Sequence, residues 1–250
     1  MRTFGVLVRR ELGAYFLSLT GYVIIAAVLL LLGVSFSVIL MAYNGVELNV
    51  PITELFYSTM FFWLILLVLT PVVTMRLYAH ERFSGTFETL MTTPVSDLEV
   101  VLAKFTASMV FYGVAWLPML ACVTILRSYT GEGAMVDGGA LGGTFFGIML
   151  IGGLYLSMGG FASSLSRSQL IGAIMAFAFG VSLFLVSFLK FSMDSQPAGV
   201  VSFFEYISLF NHMEDFVRGV VDTRHVVFHT SLTAMFLFLT LKVVESRRWK

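Results

Sequence analysis

Charged residues are scarce in this sequence, and their scarcity limits the class of protein it can encode. Only 12% of the 250 residues are charged and 58% are hydrophobic, whereas soluble domains carry roughly 25% charged residues. So little polar surface could not cover a soluble core, which excludes an ordinary soluble enzyme or binding domain. With a mean hydropathy of +0.92, the composition is that of a membrane protein.

Several chemical motifs are missing as well. The one cysteine, Cys122, cannot form a disulfide within the chain. The sequence has no G-x-x-x-x-G-K-S/T, so the chain cannot hold a nucleotide phosphate in the manner of a P-loop. Ionisable residues are nearly absent from the long apolar runs, which argues against a proton pump or an ion-coupled carrier.

Six long apolar runs predict an all-α membrane protein with one transmembrane domain over residues 1–250. A membrane-spanning helix needs about 20 mostly apolar residues, and these runs are continuous where the strands of a barrel would alternate. The predicted spans are Gly21–Tyr43, Phe56–Leu77, Leu98–Leu126, Gly142–Leu165, Leu170–Leu189 and Val226–Val244.

The distribution of lysine and arginine predicts the orientation of these spans. With the N-terminus in the cytoplasm, eleven of the 15 basic residues lie on or near the inner side. The four on the outer side are Arg127, Lys190, Arg218 and Arg224. Basic residues concentrate on the cytoplasmic side of membrane proteins, so both termini are predicted to be cytoplasmic.

Residues 1–19 predict an amphipathic helix in the plane of the membrane surface. Its apolar face is formed by Phe4, Val8, Leu12, Tyr15, Phe16 and Leu19. Its polar face carries Arg2, Arg9, Arg10 and Gly13. Such a helix places its arginines near anionic headgroups. The simpler alternative is a positively charged flank for the first span.

A second amphipathic helix is predicted over residues 79–91, between the second and third spans. Its apolar face would be Phe83, Phe87, Leu90 and Met91, opposite Glu81, Ser84 and Glu88. The third span then begins with a capping box in which Ser96 is the N-cap and Glu99 stands at the third helical position. We interpret residues 79–91 as a helix that docks a soluble partner, the alternative being a plain connecting loop.

Glycine is concentrated in the fourth span, and we expect it to serve close helix packing. The candidate packing positions are Gly143, Gly147, Gly153 and Gly160. Small residues spaced four apart let helix backbones approach closely in lipid. Packing within one subunit and a seam between two subunits both remain open.

Residues 190–225 are too apolar for a free loop, so we predict short helices that re-enter the outer leaflet or pack across the bundle. Asp222 is predicted to cap the last span. Asp222, His225 and His229 are spaced so that they could share a helix face and hold a metal. The plainer interpretation is a capped helix with interfacial histidines, and we predict no metal site.

One stretch resembles the signature of ABC-2 type transporter permeases: Met75–Phe105, with the sequence MRLYAHERFSGTFETLMTTPVSDLEVVLAKF. The matching residues are Glu81-Arg82, Gly85-Thr86-Phe87-Glu88, Thr93-Pro94-Val95-Ser96 and Ala103-Lys104. Many relatives have glycine where this chain has Ala103. The tail, Phe210–Lys250, resembles the narrower gliding-motility type of these permeases.

The resemblance implies a permease subunit in the inner (cytoplasmic) membrane that forms a homo- or heterodimer and drives export. Separate cytoplasmic ATPase subunits would bind ATP and Mg²⁺, so this chain would bind no cofactor and catalyse no reaction itself. Membrane lipids would surround it, and no nucleic acid is expected as a partner. The residues expected to contact the ATPase are Arg9, Arg10, Glu81, Arg82, Ser84, Gly85, Thr86 and Glu88.

Two other functions compete with export. The chain could be the membrane subunit of an ATPase-driven motility or assembly machine that transports nothing, which the resemblance of the tail favours. It could also be an intramembrane enzyme, but the spans offer only scattered serines and threonines and Cys122 for catalysis. We therefore rank the enzyme last.

Overall fold

The computed structural model describes residues 2–42, 52–85, 95–130, 138–188 and 198–246, and its regular secondary structure in these ranges is entirely helical. The helices are α1 (Arg2–Phe16), α2 (Leu19–Ala42), α3 (Ile52–Ser58), α4 (Met60–Thr74), α5 (Ala79–Phe83), α6 (Asp97–Thr130), α7 (Gly138–Leu165), α8 (Gln169–Phe188), α9 (Ala198–Ile207), α10 (Leu209–Val217) and α11 (Thr223–Ser246).

In the described ranges, six helical stretches are long and apolar enough to cross a membrane, which agrees with the predicted number. They are Leu19–Ala42, Met60–Phe83, Asp97–Ile125, Gly138–Leu165, Gln169–Phe188 and Thr223–Ser246. Large apolar side chains such as Leu30 and Leu170 project from these helices without protein contacts to cover them. That surface suits hydrocarbon and would be unfavourable in water.

The helix boundaries follow local capping interactions. The amide of Glu99 donates to Oγ of Ser96 (3.2 Å), and the amide of Ser96 donates to Oε2 of Glu99 (3.3 Å), so the capping box before α6 is confirmed. Asp222 is confirmed as the cap of α11, because its Oδ1 accepts the amide of Arg224 (2.8 Å). The second predicted span is divided at Thr59, whose hydroxyl donates to the carbonyl of Phe56 (2.6 Å).

Helix α7 forms the centre of the bundle and packs against α4, α6, α8, α10 and α11. Its glycines permit this because a side chain would collide with the neighbouring helices. A Cβ on Gly147 would lie 2.7 Å from Cδ2 of Phe216, and one on Gly143 would lie 2.5 Å from the carbonyl oxygen of Phe216. A Cβ on Gly159 would lie 2.2 Å from Oγ1 of Thr74.

The glycines predicted to pack helices are all buried inside this chain. Gly143 and Gly147 face Phe216, Gly153 faces Met109 and Phe105, and Gly160 faces Leu77. The structure therefore uses these positions for contacts within the subunit, which was one of the two possibilities left open by the sequence.

Two short helices, α9 and α10, lie in the predicted segment 190–225, and their position on the outer side stays a prediction; residues 189–197 lie outside the described part of the chain. The phenol of Tyr57 donates to the carbonyl of Phe210 (2.7 Å), and the side chains of Leu209, Met213 and Phe216 are fully buried. Helix α10 thus lies across the end of the bundle between α3 and α7.

Candidate functional site

At the opposite end of the bundle, α1 packs against the beginning of α6. Leu7 contacts Val100 and Ala103 in a small apolar cluster, with Phe4 and Val8 beside it. About two helical turns further along α1, the ring of Tyr15 stacks on the ring of Phe111, with 4.8 Å between the ring centroids.

The same side of α1 also reaches α4, because the phenol of Tyr15 donates to the carbonyl of Val73 (2.9 Å). Burial of this phenol raises its pKa, since the charged form is disfavoured away from water. The end of α1 is therefore fixed against two of the spanning helices. The orientation of α1 in the plane of a bilayer stays a prediction.

Four charged side chains meet where α1, α5 and α6 converge. Nζ of Lys104 lies 3.1 Å from Oε1 of Glu11 and 2.9 Å from Oε1 of Glu81. Nη2 of Arg10 lies 2.5 Å from the same oxygen of Glu11 and 3.1 Å from that of Glu81. We call these four residues the charge cluster. It joins three helices through two cations and two carboxylates.

Lys104 is the buried member of the charge cluster, with a side chain only 2% exposed. It follows the first residue of α6 by about two turns, and its Nζ also lies 5.5 Å from the centre of the Tyr78 ring. A buried ammonium is very unfavourable unless it is paired and hydrogen-bonded. The two carboxylates supply that pairing, so the positions of α1 and α5 depend on this lysine.

The charges also perturb one another. Burial alone would raise the pKa of Glu11, but the nearby Lys104 and Arg10 outweigh it, and the pKa of Glu11 is lowered. Burial alone would lower the pKa of Arg10, but Glu11 and Glu81 outweigh it, and the pKa of Arg10 is raised. Glu11 and Arg10 are therefore both held in their charged forms by their neighbours.

The segment after α4 is anchored on the end of α7, the following turn and the beginning of α8. The amides of Tyr78 and Ala79 both donate to Oγ of Ser163 at 3.2 Å. Nη1 of Arg82 donates to the carbonyl of Ser166 (3.4 Å), and Nδ1 of His80 lies 2.8 Å from Nε2 of Gln169. The peptide that leaves the second span is thus held from both sides, by α7 and by the charge cluster.

The arrangement links the amphipathic N-terminal helix, the post-span segment and the start of the third span at one end of a six-span bundle. A family model described as "ABC-2 family transporter protein" matches residues 43–243 of this sequence. The chain belongs to the ABC-2 transporter family. No match is found among curated protein sequences. This ABC-2 protein is thus a multi-pass membrane component of an ABC transporter.

The residues predicted to meet the ATPase are divided by the structure into two groups. Arg9, Ser84 and Gly85 are exposed. Arg10 and Glu81 are engaged in the charge cluster, and Arg82 is half-buried against Ser166. Thr86 and Glu88 lie outside the described residues.

The predicted helix over residues 79–91 needs two corrections. Helix α5 ends at Phe83, since Gly85 has φ of +73°, a left-handed conformation that ends a helix; residues 86–91 of the predicted helix lie outside the described residues. Two predicted side-chain positions also differ in this part of the ABC-2 protein: Phe83 is 80% exposed and Glu81 points inward to Lys104, whereas Ser84 is exposed as predicted. The buried ammonium of Lys104 determines this orientation, because leaving it without a carboxylate would cost more free energy than exposing the side chain of Phe83.

Glu11 and Lys104 are functional-site residues that sequence reasoning missed as a pair. The family motif includes Lys104, but only the structure shows that this lysine is buried and pairs with Glu11. The available signal was the position of Glu11, which lies one turn from both Leu7 and Tyr15 on the face of α1 that is otherwise apolar. A carboxylate on such a face indicates a buried cation opposite it.

A cluster of histidines lies at the far end of the bundle. Nδ1 of His212 is 3.2 Å from Nε2 of His229, and Nε2 of His225 is 2.7 Å from Oδ2 of Asp215. Asp222 instead caps α11. Within the described ranges, no group of three or more such side chains has the geometry to hold a metal ion. The narrower gliding-motility resemblance of the tail has no counterpart in the family match and stays a prediction.

Proposed function

We propose that this protein is the permease subunit of an ABC-2 exporter, driven by separate ATPase subunits that bind ATP and Mg²⁺. In this proposal it pairs with a second permease subunit in the inner membrane, with both termini in the cytoplasm. Membership of the ABC-2 family supports a transport role, and the distribution of basic residues supports the orientation.

The single observation that supports coupling is the charge cluster. Glu81 belongs to the segment that leaves the second span, Lys104 to the third span, and Arg10 and Glu11 to α1. A displacement of the segment near Glu81 is therefore transmitted directly to the beginning of α6 and to α1. Ion pairs and hydrogen bonds between rigid helices are physical links of the kind that carry such coupling.

The surface available to an ATPase lies beside the charge cluster. Phe83, Ser84 and Gly85 are exposed at the end of α5, and Arg9 is exposed on α1. An exposed phenylalanine next to polar residues is a typical anchor for a protein partner. We therefore assign the contact to the end of α5, with the charge cluster behind it as the support.

Photocrosslinking in native membranes tests this assignment. Benzoylphenylalanine at Ser84 is compared with the same group at Val220, an exposed loop residue at the far end of the bundle. We expect Ser84, and not Val220, to capture a P-loop ATPase that mass spectrometry identifies. Capture from Val220 alone, or from neither position in membranes that contain the transporter's ATPase, would contradict the proposed function.

A further inference from the structure

A cavity of about 250 Å³ is lined at one end by the charge cluster and lies next to an apolar groove. The groove, of about 190 Å³, lies between α2 and α4 and is lined only by apolar residues. Ile24 and Val72 line both spaces, so the two lie side by side. The charged side chains that line the cavity form what we call the polar mouth of the site, and the apolar groove lies next to it along the spans.

The dimensions of the groove match one leaflet of a bilayer. Its lining extends along α2 from Val23 to Leu31, which at 1.5 Å per residue is about 12 Å. One leaflet of hydrocarbon is about 15 Å deep, half of the total core thickness. Both helices that form the groove are candidate spans, so the groove opens to acyl chains and not to water.

Among the described residues, the polar mouth has one more cation than it has carboxylates to pair with. Arg10 and Lys104 are paired with Glu11 and Glu81. Arg76, by contrast, has no carboxylate within ion-pair distance in the described part of the chain.

Hydrogen bonds hold Arg76 at the mouth. Its Nη1 donates to Oγ1 of Thr20 (3.0 Å) and its Nε to Oε1 of Gln169 (3.5 Å). These neutral partners orient the guanidinium without neutralising it. A positioned arginine that retains its charge is well suited to a phosphate group.

We propose that this site binds one phospholipid, with its phosphate on Arg76 and one acyl chain in the groove between α2 and α4. The apolar groove excludes a free phosphate as the natural occupant, and the uncompensated charge of Arg76 excludes an uncharged lipid. The charge cluster lines the polar mouth, but the proposed ATPase contact at Phe83, Ser84 and Gly85 does not, so lipid binding can be tested on the permease without the ATPase.

Native mass spectrometry of the purified full chain tests the proposal by titration with phosphatidylglycerol. Arg76→Gln removes the charge, and Ala27→Phe fills the groove. The matched controls are Arg9→Gln, an exposed arginine outside both spaces, and Ala26→Phe, an exposed neighbour of Ala27 that does not line the groove. We expect each test variant to weaken binding about tenfold, the order expected for one charged contact or one excluded chain.

Two control ligands are titrated alongside phosphatidylglycerol. Diacylglycerol carries the chains without the phosphate, and glycerol 3-phosphate carries the phosphate without the chains. The proposal expects both to bind at least about tenfold more weakly than phosphatidylglycerol, because each lacks one of the two interactions. Equal binding of either compound would overturn it.

Other outcomes are equally decisive. Unchanged phosphatidylglycerol binding in both Arg76→Gln and Ala27→Phe would overturn the proposal. So would a loss of dimer in Ala27→Phe without loss of lipid, which would assign the groove to a second copy of the chain. Val68→Phe fills the groove from α4 and replaces Ala27→Phe if the latter fails to fold, as judged by tryptophan fluorescence during heating.

Discussion

Nζ of Lys104 lies 2.9 Å from Oε1 of Glu81, and the lysine side chain is almost completely buried. The pair joins the beginning of the third span to the segment that leaves the second. Since an unpaired ammonium would be very unfavourable here, the lysine determines which way Glu81 points. The same choice turns Phe83 outward, where the proposed ATPase contact lies.

Lys104→Met is expected to destabilise the protein by about 3–5 kcal/mol, the usual effect of breaking a buried ion pair. Glu11 and Glu81 would be left facing each other with Arg10 as their remaining charge-cluster partner. Thermal unfolding in detergent, followed by the fluorescence of the buried Trp63 and Trp116, measures the change.

Lys242→Met is the matched control for Lys104→Met. Lys242 is exposed and lies 2.8 Å from Oε2 of Glu245, and exposed pairs contribute only about 0–1 kcal/mol. We expect a small effect. Similar losses of stability in the two variants would show that the burial of Lys104 does not increase its contribution to stability.

Gly147→Ala is expected to destabilise the bundle by about 1–3 kcal/mol, because the new methyl group would overlap the ring of Phe216. Phe216→Leu in the same chain should restore part of the stability by making room. Gly143→Ala meets the backbone oxygen of Phe216 instead, so the same second substitution should not rescue it. Gly142→Ala, with no atom within 4 Å, is the neutral control for thermal unfolding.

The lowered pKa of Glu11 predicts acid sensitivity. A carboxyl group with a folded pKa below its ordinary value of 4.5 contributes stability that is present above pH 4.5 and lost as the pH falls through the folded pKa. Glu11→Gln should therefore be less stable than the wild type at pH 7 and should lose less stability below about pH 4.5. Parallel curves of unfolding temperature against pH would contradict this role.

His212 predicts a second, higher pH window. Burial and the neighbouring His225 lower the pKa of His212 from 6.5 to about 4. The neutral form is thus favoured in the folded protein, and its contribution is present above pH 6.5 and lost as the pH falls through about 4. His212→Asn should flatten the pH dependence of unfolding between pH 6.5 and 4, measured by the same fluorescence assay.

Local features were predictable from the sequence, and long-range ones were not. The six spans follow from the length and continuity of the apolar runs. The capping box of Ser96 and the cap at Asp222 are interactions between near neighbours in the chain. The charge cluster joins residues far apart in sequence, so its partners cannot be paired before the helices are placed.

The error at α5 has the same origin. Periodicity assigns Phe83 to a buried face, but the nearest strong interaction belongs to Glu81 and a lysine on another helix. The left-handed conformation of Gly85 then ends the helix. Glycine has a low helix propensity, but the continuous helical pattern around it favoured a longer helix.

The close approach of α7 to α4 at Gly159 has a mechanical consequence. With Thr74 lodged against that glycine, and Ser163 bonded to the following peptides, the two helices form one stiff block. Any rocking of this bundle that preserves this contact must therefore move α4 and α7 together, as one rigid lever.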